Sequence, residues 1–198
     1  LKMKGEISLK VTWQKKANDL IGIRVVDEQG GDDIGTVGDI LFTDQGSTVN
    51  AIIIKKKKFW HPEVIIQLKD IKRITKDYIV VDLNRTTITG YNHLNSNRFI
   101  SNSNITGLTV LTKEGERVGI IKDVLIDLNR GEVYAYEMSE SFFDDLLDGR
   151  KLIPVSKDAT INGDKYIISK QAHSNIKSKK RGLKKLLNIE KEEFDSGQ

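Results

Sequence analysis

Short runs of β-branched residues, separated by Gly, Asp and Asn turns, make up most of the chain. Val49, Ala51 and Ile53 alternate with polar or outward positions, and Val133 and Ala135 repeat the arrangement later. Such period-two alternation is typical of strands with one buried face. The 25 isoleucines and 13 valines against 17 leucines favour strands further, because β-branched side chains crowd in a helix. The pattern predicts an all-β protein.

The order of strands and turns occurs twice in the chain. The matching segments are residues 21–26 with 106–111, 34–42 with 118–126, 49–52 with 133–136, and 78–80 with 166–168. Each unit reads as about five or six short strands. An open sheet that small would leave unpaired edges, and closure removes them. We therefore expect two small β-barrels in tandem, with Gly35 and Gly119 at a bulge or tight bend of each barrel wall.

Composition shifts divide the chain further. We assign residues 1–16 to an N-terminal extension, 17–84 to barrel 1, 85–104 to an Asn/Ser/Thr-rich linker with a short ordered stretch at 98–100, 105–170 to barrel 2, and 171–198 to a tail. Apolar residues recur at near-helical spacing in the tail, which favours a short C-terminal helix or a disordered segment. They are Ile176, Leu183, Leu186, Leu187 and Phe194.

The repeated motif at residues 35–42 and 119–126 has a glycine, a Val or Ile two positions later, an aspartate (Asp39, Asp123) and three apolar residues. It resembles the PRC-barrel family, and residues 142–154 look like the loop and strand that precede the family's closing strands. The resemblance covers about residues 17–170 as tandem copies. The family includes the cytoplasmic domain of the photosynthetic reaction-centre H subunit and a domain of a ribosome maturation factor. It implies a small barrel used for protein interaction rather than a reaction.

Charge is nearly balanced, with 32 basic and 28 acidic residues, so net charge alone does not indicate nucleic-acid binding. The basic residues cluster locally, and two pairs of loop aromatics lie nearby in corresponding places. Large aromatics can anchor an interface or cap a barrel end, and lysines can bind acidic partners or protect a sheet edge. The candidate interaction surface comprises Lys55, Lys56, Lys57, Lys58, Phe59, Trp60, Phe142, Phe143, Arg150, Lys180, Arg181 and Lys184.

Motifs that could carry chemistry have structural interpretations. The glycine-rich segment 30–38 contains two aspartates and precedes strand residues, which indicates a hairpin turn rather than a phosphate-binding loop. His61, His93 and His173 lack metal-ligand spacing and are expected in exposed loops. Cysteine is absent, so thiol chemistry is excluded. No catalytic, cofactor or metal site is expected.

Three further groups of polar side chains are expected to be structural. Asp39 and Asp123 suit hydrogen bonding at a turn or strand end rather than catalysis. Tyr78 and Tyr166 suit packing in the barrel wall with a satisfied hydroxyl. The last group comprises Asp144, Asp145 and Asp148. Their spacing does not match that of a calcium-binding loop, so we interpret them as part of a solvated loop.

The sequence predicts a non-catalytic, cytoplasmic protein-interaction or adaptor module with an unidentified protein partner. No apolar run approaches the roughly 18 residues of a membrane span, and no secretory leader is recognisable. Two alternatives stay open. One is a ribosome maturation or RNA-associated factor, suggested by the family and the lysine clusters. The other is peripheral attachment to the inner membrane face, in which the basic tail would bind anionic lipid.

Overall fold

The computed structural model describes residues 14–43, 46–56, 64–84, 89–90, 98–140 and 151–178. The fold is mostly β, with two sheets and short helices, as the patterning predicted. The first half comprises β1 (Gln14–Lys16), α1 (Ala17–Leu20), β2 (Arg24–Asp27), β3 (Asp33–Thr43), β4 (Val49–Lys55), β5 (Val64–Gln67), a 3₁₀ helix (Leu68–Asp70), β6 (Ile71–Ile74), β7 (Tyr78–Val81) and β8 (Thr89–Gly90).

The second half repeats this order without the 3₁₀ helix and with a helix in place of β8. It comprises β9 (Phe99–Ser101), α2 (Asn102–Ile105), β10 (Thr109–Thr112), β11 (Arg117–Asp127), β12 (Glu132–Ser139), β13 (Lys151–Pro154), β14 (Thr160–Asn162), β15 (Lys165–Ile168) and α3 (Lys170–Ser178). Helix α3 lies at the start of the tail. Residues 179–198, which hold most of the apolar positions that favoured a tail helix, lie outside the described residues.

Each sheet curls back on itself. The first runs β6-β7-β2-β3-β4-β5-β8, and the second runs β13-β12-β11-β10-β15-β14. In the first sheet β5 and β6 stand far apart in the strand order, yet only the 3₁₀ helix Leu68–Asp70 joins them. In the second, residues 155–159 connect β13 to β14. Because so short a connection cannot cross a flat sheet of six strands, each sheet must bend into a barrel.

The two barrels exchange their N-terminal segments, which we call arms. The first arm, β1 and α1, leaves barrel 1, and β1 pairs antiparallel with β11 of barrel 2. The second arm, β9 and α2, precedes barrel 2, and β9 pairs antiparallel with β3 of barrel 1. The arms bury Leu20 and Ile105, which are at most 1% exposed. Burying one such side chain contributes about 1.5–3 kcal/mol, so the arms are firmly docked.

A third contact joins the barrels at equivalent turns. Thr48 and Glu132 form an antiparallel bridge. The N–H of Val49 donates to the carbonyl of Gly131 at 2.8 Å, and the N–H of Val133 donates to the carbonyl of Ser47 at 2.9 Å. Equivalent positions meet each other, which is the pattern of a two-fold interface between like units. Most buried apolar side chains of both barrels accordingly form one contiguous cluster. A smaller separate cluster in barrel 1 comprises Leu41, Ala51, Ile53 and Ile65.

Both motif glycines lie beside a bulge, as the sequence predicted. The register of β2 with β3 shifts next to Gly35, and that of β10 with β11 shifts next to Gly119. A Cβ at Gly35 would lie 2.4 Å from the carbonyl oxygen of Lys55, and one at Gly119 would lie 2.5 Å from that of Ser139. Glycine therefore lets the end of the neighbouring strand close tightly over the bulge.

Candidate interaction surface

Two of the twelve candidate surface residues lie in the part of the chain that the structure describes. Lys55 is the last residue of β4 and Lys56 follows it, and both are exposed. Their position at a strand end leaves both side chains available to a partner. The other candidates lie outside the described residues, and they are Lys57, Lys58, Phe59, Trp60, Phe142, Phe143, Arg150, Lys180, Arg181 and Lys184.

Lys55 borders a small polar cleft beside the second arm. Its aliphatic carbons pass over Gly38, where a Cβ would lie 2.5 Å from the Cγ of Lys55. The cleft holds about 270 Å³. Hydroxyl, amide and carboxylate groups face it, and its lining comprises Gly38, Asp39, Ile53, Lys55, Ser101, Ser103 and Asn104. We call it the Asp39 cleft.

The motif aspartates hold the arms in place through hydrogen bonds, as predicted, but they lie within the long strands β3 and β11 rather than at a turn or strand end. Oδ1 of Asp39 accepts the N–H of Ile40 at 2.8 Å and that of Ser103, in α2, at 3.3 Å. Oδ1 of Asp123 accepts the N–H of Val124 at 2.8 Å and that of Asn18, in α1, at 3.2 Å. Each aspartate thus binds the arm that comes from the other half of the chain.

In barrel 2 an ion pair occupies the place of the Asp39 cleft. Nζ of Lys16, in the first arm, donates to Oε1 of Glu137 at 2.8 Å. In barrel 1, Ser101 lies at the position that corresponds to Lys16, and Ile53 lies at the position that corresponds to Glu137. Because neither residue is charged, no ion pair forms there. Burial raises the pKa of Asp123, against the opposing effect of its two backbone hydrogen bonds, and the charge of Glu137 adds to the rise.

A second cleft lies on the outer face of barrel 1, where β2, β6 and β7 run side by side. Its floor is Val26 and Val80, and its volume is about 390 Å³. The remaining lining residues are Asp27, Glu28, Lys72, Arg73 and Tyr78. We call it the Tyr78 cleft. This cleft was not predicted from the sequence, although the order Ile71, Lys72, Arg73, Ile74 breaks strand alternation and suggests a bulge that turns both cations outward.

The prediction that Tyr78 packs in the barrel wall is wrong. Tyr78 lies opposite Arg24 in the β2–β7 ladder, whereas Tyr166 lies opposite Val110, the counterpart of Val25. The two tyrosines are therefore offset by one residue in register, and one residue moves a side chain to the other face of a strand. Tyr78 is 38% exposed.

Tyr166, in contrast, is buried in the wall as expected. Its ring packs edge-on against Tyr136 with centroids 4.9 Å apart. Burial raises the pKa of Tyr166 to about 12, against an opposing hydrogen bond from the backbone of Ser156. A neutral phenol with a backbone partner is the structural role that the sequence predicted for this tyrosine.

The prediction of an exposed loop is also wrong for His173. It lies on α3 and is 5% exposed, with Nδ1 3.5 Å from Oε2 of Glu116. The turn of α3 brings it against barrel 2, a placement that sequence spacing does not reveal. His61 and His93 lie outside the described residues, as do Asp144, Asp145 and Asp148.

The glycine-rich segment 30–38 begins in a hairpin connection, as predicted, and from Asp33 onwards it forms the start of β3. β2 and β3 pair antiparallel across it, and the carboxylate of Asp27 accepts N–H groups from Gln29 and Gly30 within the turn. In the described ranges, no group of three or more His, Cys, Asp or Glu side chains is arranged to hold a metal ion. Nor does any helix there have the length and apolar character needed to cross a bilayer.

Comparison with known proteins matches the duplicated architecture. A family model described as PRC-barrel domain matches residues 14–87 and again 97–172. Both matches begin at or before an arm, so each includes the segment that the other barrel binds. A protein of Bacillus subtilis (strain 168), described as "Uncharacterized protein YrrD", is 27% identical over 139 residues, which cover 70% of this chain and 78% of that protein.

Proposed function

This chain belongs to the PRC-barrel domain family, with two copies of the domain, and we propose that it is a non-catalytic protein-interaction module. Its barrels act as one platform that presents exposed cations to an acidic protein partner. The observation that carries this proposal is the reciprocal exchange of arms, which joins a strand of each half of the chain to the barrel of the other half.

A platform of this kind suits recognition because its binding groups are ordered in advance. Pairing of β1 with β11 and of β9 with β3 ties the barrels together through backbone hydrogen bonds and a shared core. Little conformational freedom is then lost when a partner binds. Lys55 and Lys56 stand exposed at the end of β4, and adjacent cations steer the encounter with a negatively charged surface.

The test is site-specific photo-crosslinking in cells of the source organism. A photoreactive amino acid replaces Lys56 in one version and Lys157, an exposed lysine of barrel 2, in the other. We expect the Lys56 version to capture a reproducible acidic protein that the Lys157 version does not capture. The capture should disappear when Lys55→Glu is added.

The matched control for that charge reversal is Lys165→Glu, which makes the same change on barrel 2 and should leave capture intact. Identical captures from both positions, or none from either, would show that the Lys55–Lys56 region is not a protein-binding surface. Capture that survives Lys55→Glu would contradict the electrostatic basis of the proposal.

A further inference from the structure

We propose that the Tyr78 cleft is the docking site for an acidic peptide segment of the protein partner, one that also carries an aromatic side chain. This inference rests on the proposed function, since it specifies where and how a partner binds. The carboxylates of the segment would pair with Lys72 and Arg73, and its aromatic ring would pack on Tyr78 and the valine floor.

The bulge in β6 is the first support. Ile71 pairs with Val81 and Arg73 pairs with Val80, so Lys72 is an extra residue on this strand. Ile74 is buried and Ile71 is half-buried, whereas the two cations between them are both exposed. A bulge re-aims side chains in this way and is often found where a strand serves binding. Two adjacent cations therefore border the same cleft.

Both cations are unpaired in the part of the chain that the structure describes. There the side chains of Lys72 and Arg73 have no ion-pair or hydrogen-bond partner. Arg24 on the neighbouring strand, in contrast, pairs with Asp33 at 3.2 Å. Unpaired cations on an ordered strand can bind carboxylates without first breaking an internal contact.

Tyr78 supplies the aromatic part of the site. Its side chain is 38% exposed, and its hydroxyl has no hydrogen-bond partner among the described residues. Val26 and Val80 form an apolar floor next to it. An exposed tyrosine above an apolar floor is a common anchor of protein interfaces, because it offers a large contact area and loses little conformational freedom.

Charge complementarity favours a peptide over a nucleic acid. Asp27 and Glu28 also line the cleft, and β7 separates Asp27 on β2 from the cations on β6. The carboxylate of Asp27 is already held by N–H groups, including that of Leu83 at 3.0 Å. A nucleic-acid strand carries a phosphate at every nucleotide and would bring some of them near these carboxylates. A peptide can place its few carboxylates at Lys72 and Arg73 and its aromatic ring on the floor.

Barrel 2 lacks the site, which supplies an internal comparison. The strand registers show that Lys165 of barrel 2 corresponds to Tyr78 of barrel 1, and that Thr160 corresponds to Arg73. The aromatic group and the bulge cations are therefore features of barrel 1. Binding through the shared PRC fold alone would use both barrels equally, whereas the proposed site predicts binding to barrel 1.

The experiment measures binding of a fluorescein-labelled peptide, Gly-Asp-Asp-Phe-Asp-Asp-Gly, to the full chain by fluorescence anisotropy. We expect saturable binding that weakens about tenfold or more in Lys72→Gln/Arg73→Gln and several-fold in Tyr78→Ser. The control Lys157→Gln/Lys165→Gln removes the same charge from barrel 2 and should bind like the wild type. Circular dichroism verifies that each variant is folded.

Three outcomes would overturn the proposal. They are no saturable binding, equal loss in the barrel 2 control, and equally tight binding of the peptide with Ala in place of Phe. The cleft would be assigned to nucleic acid instead if a ten-nucleotide oligouridine bound more tightly than the peptide, displaced it, and lost affinity in the same variants. If the peptide does not bind but the Lys56 version captures a protein, only the Tyr78 cleft is rejected as the docking site. If the peptide binds but no protein is captured, the proposed function is rejected.

Discussion

The carboxylate of Asp123 accepts the backbone N–H of Asn18, which lies 105 residues earlier in the chain, at 3.2 Å. Asp39 makes the equivalent contact with Ser103 at 3.3 Å. The most recognisable polar residue of the family-like motif therefore binds the exchanged arm as well as the backbone of its own strand. Substituting either aspartate therefore tests how much the docking of the arms contributes to stability.

Removing the Asp123 side chain should destabilise the protein. Asp123→Ala leaves the N–H groups of Asn18 and Val124 without this acceptor, so we expect the free energy of unfolding to fall by about 1–3 kcal/mol. Asp39→Ala should cost less, because Ser103 is exposed and its N–H can bind water. Urea denaturation followed by circular dichroism measures both. Asp164→Ala, on a side chain that is 85% exposed, is the control, and a loss no larger than in this control would contradict the anchoring role.

The stability of Asp123→Asn relative to the wild type should rise with pH. Burial raises the pKa of Asp123 above its ordinary value of 3.8, so the folded state favours the protonated form. The stability that the protonated Asp123 side chain gives the wild type is fully present below pH 3.8, and it is lost as the pH rises through the pKa of the folded state. Asparagine keeps an acceptor oxygen and stays neutral. Denaturation at several pH values from acid to neutral tests this, and a flat difference would contradict it.

Asp27→Asn should show the opposite dependence on pH. The hydrogen bond from the N–H of Leu83 is the main cause that lowers the pKa of Asp27, with further bonds from Gly30 and Gln29 acting against a rise from burial. The charged form therefore stabilises the fold above 3.8, and this stability is lost as the pH falls through the lowered pKa. The variant should be less stable than the wild type at neutral pH, and the gap should close in strong acid. A gap that widens in acid would refute the assignment.

Tyr136→Phe should weaken the contact between the barrels. The buried hydroxyl of Tyr136 donates to the carbonyl of Gly46, in barrel 1, at 2.9 Å. Burial raises the pKa of this phenol, so it remains a donor throughout the neutral range. Losing the donor leaves a buried carbonyl unsatisfied and should cost about 1–3 kcal/mol. Thermal and urea unfolding test this against Tyr134→Phe, a half-buried control on the same strand, and equal effects would contradict it.

Gly119→Ala should strain the β11–β12 pairing. A Cβ there would lie 2.5 Å from the backbone carbonyl of Ser139, which cannot withdraw without separating the two strands. We expect a loss of about 1–3 kcal/mol. Gly30→Ala, where the nearest contact is the side chain of Asp32 at 3.2 Å, should change stability by less than about 0.5 kcal/mol. Equal stability of the two variants would show that the close approach is not required.

The candidate site shows where inference from sequence was limited. Alternation and turn residues located the strands, and the recurrence of Asp39 and Asp123 indicated their structural role correctly. The alignment of Tyr78 with Tyr166 was off by one residue, and one residue reverses the face of a strand, so the exposed tyrosine was assigned to the wall. The cations of the Tyr78 cleft were missed because the broken alternation at residues 71–74 suggests a bulge, but only the pairing with β7 shows which residue is extra.

By itself the sequence determined the duplication, the all-β class and the positions of the turns, because alternation, β-branching and glycine act over a few neighbouring residues. The tertiary structure alone decided where the arms pair. Gln14–Lys16 and Phe99–Ser101 are three residues each, too short to carry a pattern, and they bind strands in the other half of the chain. Their partners are fixed by the complementarity of the edges left open on β11 and β3, which exists only once both barrels have formed.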